Sequence, residues 1–468
     1  MEIIEKYNTL EDTVIKGGYC IGCGVCTQIP SSPYIVSKTK FGQYEAVRKE
    51  NSTTNEHVDK VLKQVCPFSG ESLNEDQIGF KLFGSLKDHN SKLGYFSSTF
   101  VGYAVEGEYR SLAASGGLST WLLDYLLKNN IIDGVIHVTQ AAKGTSLFEY
   151  SISRSSTEIS FGAKSKYYPI ELSKVLDQIR SEEGVFALIG VPCFIKAYRL
   201  LAISNPEFKD KVKYCIGLVC GHLKSESFSK MFGWQCGIHP NELRAIDFRT
   251  KLEGRPSNDY GVTVSSDDKT IISAPISKLF GTNWGYGLFK YKACDYCDDV
   301  FAETADIVLG DAWLPELQKD SRGTNVIVIR NKEIDEIFQK AYLDKKIYLK
   351  SISVEEVIES QSAGLRHRRE SLSFRLFTDL SNDIWVPTKR VPAEVKIDKL
   401  TQKRQIQRIK MRDASHSLFY EAVMKDDFSI FVSGMGLYIN EYKKLYKPSF
   451  LRQIFRKMKK RFFKINFR

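Results

Sequence analysis

Cys20, Cys23 and Cys26 follow one another as C-x2-C-x2-C inside Gly-Tyr-Cys-Ile-Gly-Cys-Gly-Val-Cys, and no other feature restricts the first part of the chain as strongly. Three thiolates at this spacing wrap the backbone around one inorganic centre. Gly22 and Gly24 allow the tight turns that direct amides toward sulfur.

A two-cluster bacterial ferredoxin would carry its next cysteine four residues after Cys26, where this chain has Pro30. The remaining candidate is Cys66, followed by Pro67 as a fourth cluster ligand often is. The four fit one 4Fe-4S cluster. The competing assignment is a four-cysteine zinc site, although zinc usually takes two separated C-x2-C pairs.

Cys294 and Cys297 form a further C-x2-C. Cys193 follows an apolar strand in Gly190-Val-Pro-Cys and opens a helix, where amide donors and the helix dipole favour a thiolate. Cys220 ends another apolar strand in Gly217-Leu-Val-Cys-Gly-His222. Strand ends of one sheet can bring both to the C-x2-C pair, though buried cysteine is also a common small hydrophobe. His222 is a candidate proton donor or replacement ligand, with a hydrogen-bonded structural histidine as the alternative. Cys215 and Cys236 read as packing residues.

With 468 residues and 43% hydrophobic content, the chain can bury two or three globular units. Residues 1–95 are polar and turn-rich, as in a small 4Fe-4S ferredoxin-type domain built around a metal. Residues 96–350 alternate β-type runs (Gly134–Val138, Val185–Ile189, Asp306–Leu309, Asn325–Ile329) with helical ones (Leu118–Lys128, Glu171–Arg180, Phe194–Leu201). This predicts an α/β core, a mixed sheet with flanking helices. Residues 351–468 read as a helical C-terminal extension, starting with a helix over Ser353–Ser360. No repeat of about 20 to 50 residues is evident.

No apolar run of about 18 residues suggests a spanning helix, and the first residues lack signal-peptide character. The expected location is cytoplasmic, where ten cysteines point to metal or redox chemistry rather than disulfides. The net charge of +11 comes from the tail: eleven Lys/Arg and no Asp/Glu lie between Lys443 and Arg468, and the rest balances. Leu451, Ile454, Phe455, Met458, Phe462 and Ile465 recur at helical steps among basic residues. That pattern predicts docking of residues 448–468 on the inner, anionic face of a membrane. A partner-binding helix and a non-specific nucleic-acid-binding end are the alternatives, and specific nucleic-acid recognition is not indicated. Arg366-His-Arg-Arg369 reads as a solvated helix face, with a clasp for a substrate phosphate or carboxylate as its rival.

Together these residues resemble the beta-subunit family of coenzyme F420 hydrogenases and dehydrogenases. The resemblance rests on the Cys20/Cys23/Cys26 motif, Ala114-Ser-Gly-Gly-Leu-Ser-Thr120, Ile131-Ile-Asp-Gly-Val-Ile136, Gly190-Val-Pro-Cys193, and Cys294-Asp-Tyr-Cys297 leading to Ala305-Asp-Ile-Val-Leu-Gly-Asp311, in the family's order. The C-terminal extension is similar to relatives found with bacterial surface-polysaccharide synthesis genes. The resemblance implies an iron-sulfur flavoprotein with two 4Fe-4S clusters, the second held by Cys193, Cys220, Cys294 and Cys297. It also implies FAD, with FMN as the alternative, whereas nothing in the sequence identifies a coenzyme F420 pocket.

For the flavin, Ser115, Gly116 and Gly117, then Ser119 and Thr120, open a helix as a pyrophosphate cradle would, although Ser-Gly-Gly is also an ordinary turn. Ser165, Lys166 and Tyr167, and Arg322, Thr324 and Asn325, look like further cofactor-contacting segments of the family. The other reading of each is a solvated loop. Lys166 is expected to face either a phosphate or the flavin ring near N1, where positive charge stabilises the reduced form, with His222 as its catalytic companion. The implied function is an oxidoreductase that passes electrons through 4Fe-4S clusters to a flavin acting on a small organic substrate. Its electron donor would be ferredoxin or a partner oxidoreductase subunit. A non-catalytic electron-transfer subunit and a zinc-stabilised membrane-associated scaffold are the rivals. No hydrolase motif of the G-x-S-x-G or H-E-x-x-H type occurs.

Overall fold

The computed structural model describes residues 9–142 and 146–446. The basic amphipathic segment 448–468 lies outside the described residues.

Eight strands form one mixed sheet. In chain order they are β1 (Ser98–Ala104), β2 (Gly134–Gln140), β3 (Phe148–Ser153), β4 (Phe186–Gly190), β5 (Val212–Leu218), β6 (Ile307–Asp311), β7 (Asn325–Ile329) and β8 (Ile347–Ser351). Across the sheet the order is β8-β1-β7-β6-β5-β4-β2-β3. The four strands β2, β4, β5 and β6 run parallel, and antiparallel strands flank them on both sides. The apolar runs in the parallel strands are continuous because both faces are covered.

Alternate residues divide between those two covers. Val135, Ala187, Ile216, Ile307 and Leu309 pack against the helices Leu118–Lys128 and Lys332–Leu343 through Leu122, Trp121 and Phe338. Ile136, Leu188, Cys215 and Val308 face the opposite way, against the helices Ser173–Ser181 and Pro192–Ser204. Val14, Tyr19 and Leu62 from the start of the chain belong to this second core, and so do Leu365, Leu372 and Leu376 from its end. The mixed sheet, its flanking helices and the helical C-terminal extension match the sequence reading.

The amino-terminal segment contains more regular structure than its composition suggests. It holds a hairpin (Tyr34–Lys38 with Tyr44–Arg48) and helices Glu56–Val65 and Glu75–Phe83. Asn55 and Asn74 cap these helices by accepting from the amides of Val58 and Gln77. A three-stranded sheet (Ala245–Thr250, Gly261–Ser265, Thr270–Ile272) packs with the long helices Lys399–Met424 and Phe428–Lys444 around Phe232, Phe289, Phe419 and Phe431. No helix among the described residues is long and apolar enough to cross a membrane.

The basic knot at Arg366–Arg369 is not a solvated face. A π-helical turn, Arg366–Glu370, points successive side chains inward. His367 and Arg368 are buried, Arg369 pairs with Glu303 at 3.0 Å, and only Arg366 is exposed. The carboxylates that attract His367 and Arg369 belong to the protein, so sequence-local charge counting could not find them.

Candidate functional site

Parallel strands deliver their carboxyl ends to one edge of a sheet, where open α/β folds place ligands. Cys193 follows β4 and Cys220 follows β5, the neighbouring parallel strand. Cys193 lies in the first turn of the helix Pro192–Ser204, with Pro192 fixing its start. Cys294 and Cys297 sit on and just after a 3-10 turn, Lys292–Tyr296. The amide of Leu223 donates to Cys294 Sγ at 3.2 Å, and the amide of Cys220 donates to the carbonyl of Val300 at 3.2 Å. These bonds draw the Cys220 and Cys294 segments together. Burial raises the Cys193 thiol pKa well above its ordinary value, and the nearby charges of Cys297, Cys220 and Cys294 raise it further.

The first set is as compact. Cys20, Cys23, Cys26 and Cys66 line one apolar cavity with Tyr34 and Phe68. Gly22 and Gly24 have φ of +65° and +82°, the left-handed turns that let this loop close. Cys66 ends the helix Glu56–Val65. The amides of Ala46 and Gly22 donate to Cys20 Sγ at 3.3 and 3.4 Å. Burial pushes all four thiols up, Cys66 to about 12, so the cavity favours their anionic forms only beside a cation.

The donor chemistry of both sets, four thiols with N–H groups aimed at sulfur, fits an iron-sulfur centre. Among the described residues no three His, Cys, Asp or Glu side chains are gathered around a single ion position. Thiolates around a four-iron cube stand farther apart than the ligands of one ion.

The two sets adjoin. Cys23 of the first set also raises the Cys193 thiol of the second. Buried Tyr291 lies between them: its hydroxyl accepts from the Tyr44 amide at 2.8 Å, and its pKa, raised chiefly by burial, also feels Cys20 and Cys294.

At the same sheet edge the structure joins two of the segments expected to hold a cofactor. Ser115 Oγ donates to the carbonyl of Thr324 at 3.0 Å, and the Leu118 amide donates to Asn325 Oδ1 at 3.2 Å. A Cβ on Gly116 would lie 2.7 Å from Asn325 Oδ1 and from the Gly102 carbonyl, so glycine here serves close packing of loop on strand. Gly117 caps the following helix at φ +82°, and Ser119 and Thr120 lie half-buried in its first turn. Arg322 is exposed and pairs with Asp320 at 2.9 Å. Buried Arg110, which sequence reasoning missed, donates to the carbonyl of Gly323 at 2.7 Å.

Tyr167 and His222 both pack edge-on against Trp284, with ring centroids 4.9 and 4.5 Å from it. His222 Nε2 is buried without a hydrogen-bond partner. Lys166 turns away, donating to the backbone carbonyls of Gly162, Ala163 and Lys164, and its pKa is lowered to about 8 by burial. Ser165 is half-buried in the same loop. Two basic residues absent from the sequence reading stand close by, and burial drives the pKa of the second, Lys224, well below its ordinary value. Arg249 is held by Asp311 at 2.9 Å and reaches the Tyr167 hydroxyl at 3.5 Å. Lys224 lies 4.8 Å from the Trp284 ring centroid. Neither stands in a motif, and only the tertiary fold brings them to this edge. A separate cleft of about 410 Å³, lined by Trp121, Lys128 and Lys346 among others, contains none of the thiols.

Residues 99–177 match the N-terminal part, and residues 184–355 the C-terminal part, of the coenzyme F420 hydrogenase/dehydrogenase beta subunit. The chain belongs to this family. Coenzyme F420 hydrogenase subunit beta of Methanothermobacter thermautotrophicus is 22% identical over 254 residues, covering 53% of this chain and 82% of that protein. Coenzyme F420-dependent sulfite reductase of Methanocaldococcus jannaschii is 24% identical over 359 residues, 72% of this chain, and the chain spans about half of that protein's length. A chain from the F420-reducing [NiFe] hydrogenase complex of Methanosarcina barkeri superposes with a TM-score of 0.49 at 18% identity, covering 64% of this chain and 98% of that one. The family match ends at residue 355, before the π-helical turn and the long helices.

Proposed function

We propose that this family member is an iron-sulfur flavoprotein oxidoreductase with one 4Fe-4S cluster on Cys20, Cys23, Cys26 and Cys66, a second on Cys193, Cys220, Cys294 and Cys297, and FAD at the adjoining sheet edge. The observation that carries this reading is that the two four-thiol sets share one core, which contains Cys23, Cys26 and Cys297 with Cys20, Cys66 and Cys193 packed against it. Clusters exchange single electrons and a flavin pairs them, which makes the combination useful for reducing or oxidising a small organic substrate.

The chain's own groups have distinct tasks. Buried amides and apolar walls keep water from the thiols. Tyr167 and Trp284 offer aromatic surface to a flavin ring, while Arg249 provides positive charge that favours a reduced, anionic cofactor. His222 Nε2 is the atom placed to give or take a proton. The loops at Ser115–Gly117 and Thr324–Asn325 would shape the cofactor's phosphate end, and Lys166 braces the loop carrying Tyr167.

Anaerobic purification tests this directly. About eight iron atoms per chain with matching sulfide and a bound flavin are expected, and a colourless zinc protein would refute the assignment. The name of the hydrogenase relative favours a second reading, an electron-transfer subunit that passes electrons to a partner. Substrate turnover by the isolated chain with a chemical reductant separates the two. A place in surface-polysaccharide synthesis rests on the likeness of the C-terminal extension. Docking on anionic membrane by residues 448–468 rests on their sequence pattern, and liposome sedimentation of a chain lacking them tests it.

A further inference from the structure

Arg368 lies 13 residues beyond the family match and is 2% exposed. Its Nη1 donates to Cys297 Sγ at 2.9 Å and to the carbonyl of Asp299, and its Nη2 donates to the carbonyls of Cys220 and Gly221 at 3.0 and 2.7 Å. Its Nε has no partner. The guanidinium therefore bridges the segments carrying two of the four thiols in the second set.

Its neighbours show how unusual this is. His367 lies 3.1 Å from Asp295, and Arg369 lies 3.0 Å from Glu303. Among the described residues no carboxylate pairs with Arg368. A buried guanidinium without a counter-charge costs several kcal/mol, so such a group is ordinarily compensated. The group facing it in place of a carboxylate is the sulfur of Cys297, with the carbonyls of Asp299, Cys220 and Gly221 around it. The π-helical turn produces this placement by rotating three successive side chains toward three different acceptors, as such turns often do at functional sites.

We propose that Arg368 is a positioning residue of the second cysteine set, donated by the C-terminal extension, which supplies the counter-charge to a thiolate-bound centre and raises its reduction potential. This rests on the ligand assignment proposed above. One-electron reduction adds a negative charge to such a centre, and a fixed cation against a ligand sulfur stabilises the reduced state more than the oxidised state. The second centre is thereby easier to reduce than the same site without the arginine.

The test is a redox titration of the anaerobically purified full chain, followed by electron paramagnetic resonance, in the unsubstituted protein, Arg368→Gln and Arg368→Lys. In Arg368→Gln the reduced-to-oxidised ratio of one centre at fixed ambient potential should fall at least tenfold, about 59 mV for one electron, with the other centre unmoved. Arg368→Lys, which keeps the charge, should recover most of the shift. Loss of the second centre's iron in Arg368→Gln with retention in Arg368→Lys would support the same role. Equal iron loss in both variants, or full iron content with unchanged potentials in Arg368→Gln, would overturn it. An unsubstituted chain free of iron would instead sink the ligand assignment, and the role of Arg368 with it.

Discussion

Arg412 Nη1 lies 2.6 Å from Asp295 Oδ2, across 117 residues of sequence. Asp295 stands between Cys294 and Cys297, is 1% exposed, and also binds Lys290 and His367. Arg412→Met leaves that buried carboxylate short of a charge partner and of a hydrogen bond. The expected loss of unfolding free energy is about 3 kcal/mol, the usual cost of breaking a buried pair from one side. Urea unfolding measures it, and a loss below about 0.5 kcal/mol would show that Lys290 and His367 suffice.

Cys20→Ser and Cys294→Ser should each remove about half of the bound iron, because each disables one four-thiol set. Cys215→Ser is the control. Cys215 is buried in the core beside Arg199 and Asp306 and belongs to neither set. Iron analysis of the three variants distinguishes ligands from packing cysteines, and iron loss in Cys215→Ser equal to that of the others would contradict the assignment.

His137 gives the protein an acid-sensitive point away from the thiols. Its ring is buried against Ser153 Oγ at 2.7 Å, and its pKa is lowered to about 4, first by burial and then by the charge of Lys166. Unfolding returns it to about 6.5, so the unfolded chain takes up the proton first as the solution is acidified. The stability it contributes is therefore intact above pH 6.5 and is lost progressively down to about pH 4, by up to about 3 kcal/mol. His137→Asn should flatten unfolding free energy across that window. An unchanged acid slope in the variant would assign the loss to other groups.

Gly116→Ala places a methyl group 2.7 Å from the carbonyl of Gly102, on the central side of β1, where neither backbone can retreat freely. A cost of about 1 to 3 kcal/mol is expected. If the loop also shapes the flavin site, flavin content should fall with the melting temperature. Thermal unfolding with absorbance at flavin wavelengths reads both, and a variant as stable as the parent would show that the loop can shift.

The local chemistry of this chain was readable before its tertiary arrangement. β-type runs such as Asn325–Ile329, and helices such as Leu118–Lys128, announce themselves through apolar patterning and occur at those residues. Cysteine spacing marked the Cys20, Cys23 and Cys26 triplet and the Cys294 and Cys297 pair, whereas the full second set was implied only by the family resemblance. Buried charge was not readable. Arg249, Lys224 and Arg368 look like ordinary surface residues in sequence, because their burial depends on partners remote along the chain. The reading of Arg366–Arg369 as a solvated face failed for that reason: its inward rotation needs Asp295, Glu303 and the segment after β5 already in place. Lys166 carries the opposite lesson. It was expected to face a cofactor, but its amine donates to the carbonyls of its own loop.

The hydroxyl of Tyr19, next to the first cysteine, donates to the carbonyl of Trp385 at 3.0 Å, and Lys292 donates to the carbonyl of Gly17 at 2.8 Å. The segment around Tyr19 is thus completed by residues made 366 and 275 positions later. During synthesis the Cys20–Cys26 loop must wait, reduced and only partly sheltered, for about 360 more residues before its native walls exist. The cluster proposed for this loop would therefore be sheltered only once Trp385 has been made, and oxygen exposure before that point would be its natural hazard.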